Sequence, residues 1–121
     1  MKLLLAGLVL ILLVETHAQW FRFPIEAAQG AGDMVSAYRD MRKANWKNSD
    51  KYFHARGNYD AAQRGPGGRW AAKFISDGRE NFNKIRGRDA KDLAADRRAN
   101  EWGRNGGNPN RYRPRGLPRR Y

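Results

Sequence analysis

The chain contains no cysteine in its 121 residues, which excludes disulfides and thiolate-ligated metal centres. Histidine is almost as scarce, with only His17 and His54. A zinc site needs three or four Cys, His or carboxylate ligands, and a lone His54 without any cysteine is a poor basis for one; it reads instead as a partly buried residue of a helix. Ser36, Ser49 and Ser76 stand in no nucleophile motif. Gly65-Pro66-Gly67-Gly68-Arg69 lacks the Lys-Ser/Thr that ends a phosphate-binding loop. The chain therefore reads as a non-enzyme without metal or cofactor. Acidic side chains are also sparse: 12 Asp and Glu face 24 Lys and Arg, for a net charge of +12. Such an excess attracts polyanions or anionic lipid, although the plainer reading is a well-solvated basic surface.

The one long apolar run, Leu3–Val14, falls short of the roughly 20 residues that span a bilayer. It follows Met1-Lys2 and precedes Thr16-His17-Ala18, with small residues at the minus-three and minus-one positions, the pattern of a secretory signal peptide. Residues 1–18 are read as that signal, leaving Gln19 first in the mature, extracellular protein. Its loss removes Lys2 and Glu15 and leaves the charge unchanged. Roughly 100 residues remain, a small domain with no staple, so self-association into a homo-oligomer is expected. A secretory address favours extracellular polyanions over nucleic acid.

Helical spacing organises most of the mature chain. The stretch Phe21, Phe23, Ile25 alternates like a strand, but Pro24 suits the first turn of a helix, so helix one is predicted to begin there. Ile25, Ala28, Gly32 and Val35 form one row and Met34, Tyr38 and Met41 an adjoining one, ending near 45–47. Asn48 and Ser49 are candidate N-caps for a second helix, Asp50–Arg64. Gly65-Pro66-Gly67-Gly68 predicts a break. Trp70, Phe74, Gly78, Phe82 and Ile85 then give a third helix, closed by Gly87, and Asp89 caps a fourth reaching about Trp102, with Leu93, Ala95, Ala99 and Trp102 inward. The aromatic stripe of the third helix reads first as core; the second reading lays it in a lipid interface, with Arg and Lys opposite.

After Trp102 the chain turns to Gly, Pro and Arg without a carboxylate side chain. It cannot continue a helix, and Tyr112, Leu117 and Tyr121 are the residues able to pin it to the helices. The fold class is therefore all-α, with residues 19–105 as the helical domain and 106–121 as the tail.

The stretch Asn45–Ala62, with Asn45-Trp46-Lys47-Asn48-Ser49-Asp50-Lys51-Tyr52-Phe53-His54-Ala55-Arg56-Gly57-Asn58-Tyr59-Asp60, closely resembles serum amyloid A. So do Arg64-Gly65-Pro66-Gly67-Gly68, Trp70-Ala71-Ala72 with Ile75-Ser76-Asp77, and the Glu101-Trp102-Gly103-Arg104 to Arg113-Pro114 ending. The resemblance covers nearly the whole mature chain. It implies a four-helix bundle with the C-terminal tail wrapped around it, assembling into oligomers. It also implies an acute-phase apolipoprotein of high-density lipoprotein, with phospholipid and retinol as ligands, heparan sulfate and bacterial surfaces as partners, and attraction of leukocytes through their receptors. Carried over by position, the lipid-binding faces hold Trp20, Phe21, Phe23, Trp70 and Phe74, and one heparin-binding arginine falls on Arg64. Two further heparin positions fall on Gly32 and Ser36, so that site is weakened or rebuilt here. Pro24 lies where the family continues its first helix, and proline disfavours the in-register strands of amyloid. The higher basic charge favours an alternative emphasis, a cationic host-defence protein that binds bacterial surfaces or matrix polyanions.

Overall fold

A computed structural model describes the backbone of residues 2–121 and the side chains of residues 20–121. The expected signal segment and Gln19 lie outside the residues whose side chains are described. Four helices follow one another: α1 Lys2–Ala44, α2 Asp50–Gln63, α3 Pro66–Ile85 and α4 Ala90–Arg104, and then a 3₁₀ turn, Pro109–Tyr112. No strand occurs among the described residues. The bundle is centred on α2, which packs against the other three helices and the 3₁₀ turn, while α1 also lies along α3.

The ends of the helices follow local chemistry. Asn45 and Asn48 take left-handed conformations after α1, with φ of 43° and 59°, which asparagine tolerates better than most residues. Ser49 sits at the N-cap of α2, but its hydroxyl donates back to the Trp46 carbonyl at 2.7 Å and leaves the helix N–H groups uncapped. Asp89 does cap α4, accepting from the Lys91 N–H at 2.9 Å. Gly87, at φ 82°, ends the α3 region.

Three expectations are corrected. Helix one does not begin near Pro24, and the strand-like alternation at Phe21, Phe23 and Ile25 has no counterpart; α1 runs through both. Pro24 removes one hydrogen bond to the Trp20 carbonyl, and both residues are exposed, so water can satisfy that oxygen. The break before α3 shrinks to Gly65, at φ 124°, because Pro66 occupies the first helical turn and Gly67 and Gly68 are buried inside the helix. In α1 the inward row is Met34, Ala37 and Tyr38 with Met41, whereas Ile25, Ala28, Gly32 and Val35 face water.

Much of the core is alanine: Ala37, Ala55, Ala61, Ala71, Ala72 and Ala99 are buried, beside Met34, Tyr52, Phe53, Leu93 and Leu117. Small side chains bring helix backbones together. A Cβ on Gly30 would stand 2.7 Å from the Gly68 Cα, and one on Gly68 would stand 2.8 Å from the Arg64 Cβ. Polar groups fill the seam between α2, α3 and α4. Buried Asn58 donates to the His54 carbonyl at 2.9 Å and to the Asn100 side-chain carbonyl at 3.1 Å, and its own side-chain carbonyl accepts from the Ser76 hydroxyl at 3.3 Å and from Arg104 at 3.1 Å. Asp96 and Asn100 are thus inward on α4, whereas Ala95 and Trp102, expected inside, are only half-buried.

Arg113 clamps the far end of the tail. Arg113 donates to the Tyr52 hydroxyl at 3.0 Å and to the Leu117 and Pro118 carbonyls at 3.2 and 2.9 Å, and Tyr52 donates to the Tyr121 carbonyl at 2.5 Å. Leu117 is buried against Tyr52 and Phe53, with Tyr112 and Tyr121 beside it. Gly78 has open space where a Cβ would point. Gly78→Ala is therefore expected to raise stability by about 0.5–1 kcal/mol through helix propensity, read as a higher urea midpoint.

Candidate lipid-facing surface

On α3 the amphipathic order is inverted. Gly67, Gly68, Ala71, Ala72 and Ser76 point inward, while Trp70, Phe74, Phe82 and Ile85 are 52%, 68%, 58% and 85% exposed. The expectation that this stripe forms core is overturned. A Trp or Phe cannot enter a seam in which α1 and α3 approach to the distance of Gly30 and Gly68, so the small residues take the contact and the large ones are left outside.

The inversion assembles a ladder across two helices. Phe23 of α1 lies 5.9 Å from Trp70, and Trp70 stacks on Phe74 at 5.4 Å with an interplanar angle of 19°. Trp20, 76% exposed, stands three residues before Phe23 and so flanks the same side of α1. Phe21, 77% exposed, is separated from Phe23 by about 200° around the helix and lies outside the ladder. Four of the five residues expected to face lipid are thus on one side of the α1/α3 pair. Monomeric proteins rarely leave contiguous apolar patches of this kind without a partner for them.

Arg64 is elsewhere, at the end of α2, where its guanidinium forks onto Asp33 at 2.8 and 3.0 Å. Gly32 and Ser36 are exposed on α1 and bring no charge to it. His54 is buried, edge-on to Tyr38 with centroids 5.6 Å apart, and its Nε2 lies 3.6 Å from Asp96. Asp96 also pairs with Lys51 at 2.6 Å and Arg88 at 2.8 Å. The arrangement has the character of a structural hub; no group of three or more metal-ligating side chains occurs among the described residues.

The family model for serum amyloid A protein matches residues 21–121. The chain belongs to the serum amyloid A family. It is 66% identical over 112 residues to serum amyloid A-1 protein of Mesocricetus auratus, covering 93% of this chain and 91% of that protein. To serum amyloid A-3 protein of Mus musculus it is 61% identical over 122 positions, and to serum amyloid A protein of Canis lupus familiaris 59% over 129, with full coverage of both chains in each case. Serum amyloid A proteins are acute-phase proteins and not enzymes, and the relatives are named as serum proteins. No helix among the described residues is long and apolar enough to cross a membrane.

Sequence reasoning missed two features of this serum amyloid A chain. Arg113 as the tail clamp carries no local signal, since it is one of several arginines in a flexible-looking segment. Asp96 was legible only as a polar residue in an amphipathic helix; its spacing of three from Leu93 and Ala99, both buried, is the signal that places it inward.

Proposed function

We propose that the chain is exported after cleavage at Ala18 and acts as an acute-phase apolipoprotein that binds phospholipid surfaces, including high-density lipoprotein. The contact is the α1/α3 face at Phe23, Trp70 and Phe74, extended by Trp20, with Phe21 engaged as the N-terminal end sinks into the interface. The observation that carries this reading is the exposed ladder Phe23–Trp70–Phe74 on helices that already pack by small residues. The face needs no unfolding to meet lipid. Loss of the leader also places Pro24 near the start of α1, where it interrupts only the terminal turns.

Trp70→Ala with Phe74→Ala removes two exposed rings and leaves the packing seam intact. The double variant is expected to keep its helicity and to bind phosphatidylcholine vesicles about tenfold or more weakly, judged by the apolar area withdrawn from lipid. Unchanged binding, followed by circular dichroism and Trp emission, would remove the face from the mechanism.

A second reading is favoured by the basic surface: attachment to heparan sulfate or bacterial polyanions, with Arg64 contributing once it shares its guanidinium between Asp33 and the ligand. Salt separates the two. Exposed charges are screened over about 8–10 Å, so polyanion binding weakens steeply with ionic strength while insertion into phosphatidylcholine persists.

A further inference from the structure

The α1/α3 face changes character along its length. On α1 the positions Trp20, Pro24, Ala28, Ala31, Val35, Arg39 and Arg42 succeed one another at three- and four-residue spacing, and on α3 Trp70, Phe74, Gly78 and Phe82 follow at four. Neither row carries a charge until Arg39. From Trp20 to Val35 the apolar row extends about 22 Å at 1.5 Å per residue, comparable to an extended long acyl chain.

At the far end the helices leave an open groove of about 630 Å³, lined by Val35, Tyr38, Arg39, Arg42, Lys43 and Arg79. Four cations and no carboxylate border it. Neighbouring acids are engaged elsewhere: Asp40 with Arg56 at 2.7 Å, Asp77 with Lys73 at 2.7 Å, and Glu80 with Arg97. Among the described residues Arg39, Arg42 and Lys43 form no ion pair. Arg79 lies over the Tyr38 ring, 3.9 Å from its centroid. Stacking holds a guanidinium by its face and leaves its edge N–H donors able to take an oxyanion. Basic residues in a last helical turn also offset the helix dipole, which accounts for Arg42 and Lys43. It does not account for Arg39, one turn earlier, or for Arg79 arriving from another helix.

We propose that this groove is a headgroup site for an anionic phospholipid, taking its phosphate at Arg39, Arg42, Lys43 and Arg79 while the acyl chain runs over Val35 toward Phe74. The site rests on the lipid-facing reading and adds a headgroup preference and a fixed orientation to it. A free inorganic anion would use the cations but not exposed Val35 or the apolar row, and a sulfated polysaccharide would have no use for the row either.

The test compares phosphatidylcholine vesicles with the same vesicles containing phosphatidate. Arg39→Gln/Arg42→Gln/Lys43→Gln removes three exposed charges from the groove, and Arg115→Gln/Arg119→Gln/Arg120→Gln removes as many from the tail. Wild-type protein is expected to prefer the anionic vesicles. The groove variant should lose about tenfold or more of that preference, a larger loss than any in its binding to phosphatidylcholine, and the tail variant should lose far less of the preference. Equal losses in the two variants would mean net charge alone and would overturn the site. Dihexanoyl phosphatidate should displace the wild-type protein from anionic vesicles at concentrations where inorganic phosphate does not; displacement by phosphate as readily, or by heparin while the short-chain lipid has no effect, also overturns it. Failure of wild-type protein to bind phosphatidylcholine vesicles strikes at the apolipoprotein reading itself and is distinguishable from either result.

Discussion

Replacing Gly103 by alanine is expected to cost about 3 kcal/mol or more, enough to unfold a large share of a small domain's molecules under mild denaturant. The added Cβ would penetrate the Ala55 carbonyl oxygen and stand 2.8 Å from its carbon and 3.0 Å from its Cα. These are backbone atoms of α2, so no rotamer change relieves the contact. The helices cannot simply separate, because Ala55 is fully buried and Asn58, one turn further along α2, bonds to Asn100 and Arg104 of α4. Moving α4 outward would break these bonds and leave their buried polar atoms unpaired. Urea unfolding followed by circular dichroism reads the effect, with Gly78→Ala as the internal contrast. One glycine gains a methyl in open space and the other drives it into a neighbouring helix. Equal midpoints for Gly103→Ala and wild type would show that α2 and α4 pack less closely than described.

The contrast between these glycines also explains what the sequence made legible. Helix ends were readable at Gly65, Gly87 and Asp89 because each depends on chemistry within a few residues: a positive φ or a side chain that reaches its own backbone. The inward face of α3 was not. Reading amphipathicity assumes that the largest apolar residues mark the core, and it put Trp70, Phe74 and Phe82 there. The competing signal was present in the small-residue row Gly67, Gly68, Ala71, Ala72 and Ser76, which is also continuous at helical spacing. Which of two rows faces inward depends on the partner helix, and Gly30 on α1 settles it by accepting only a backbone-close neighbour. The same long-range dependence hides Arg113, whose partner Tyr52 is 61 residues away in the chain. The family resemblance pointed to the residues of the aromatic ladder, whereas their stacking and the basic groove at the other end of the face depend on how α1 and α3 lie side by side.

Asp96→Asn is expected to lose about 3 kcal/mol at neutral pH and to lose progressively less as acid is added. The carboxylate is buried at 5% exposure and faces Lys51 and His54 of α2 and Arg88 of the turn before α4. Burial pulls its pKa upward and is the largest single influence, but the hydrogen bonds and charges of His54 and Lys51 together outweigh it and hold the carboxyl well below the usual range. A carboxylate with a depressed folded pKa contributes stability that is present above its unfolded value, near 3.8, and is lost as the pH falls from there toward the folded value. The amide variant keeps the shape but not the charge, so it leaves three positive or protonatable groups converging on a neutral one. Breaking a buried pair at one partner costs about 3–5 kcal/mol, and the lower end applies because Lys51 and Arg88 are about one-third exposed and can swing into water. The gap between wild type and variant in the urea midpoint should therefore be widest at neutral pH and narrow below the unfolded value. A gap that stays constant across that window would assign the loss to packing and leave the Asp96 charge without a part in holding α4 to α2.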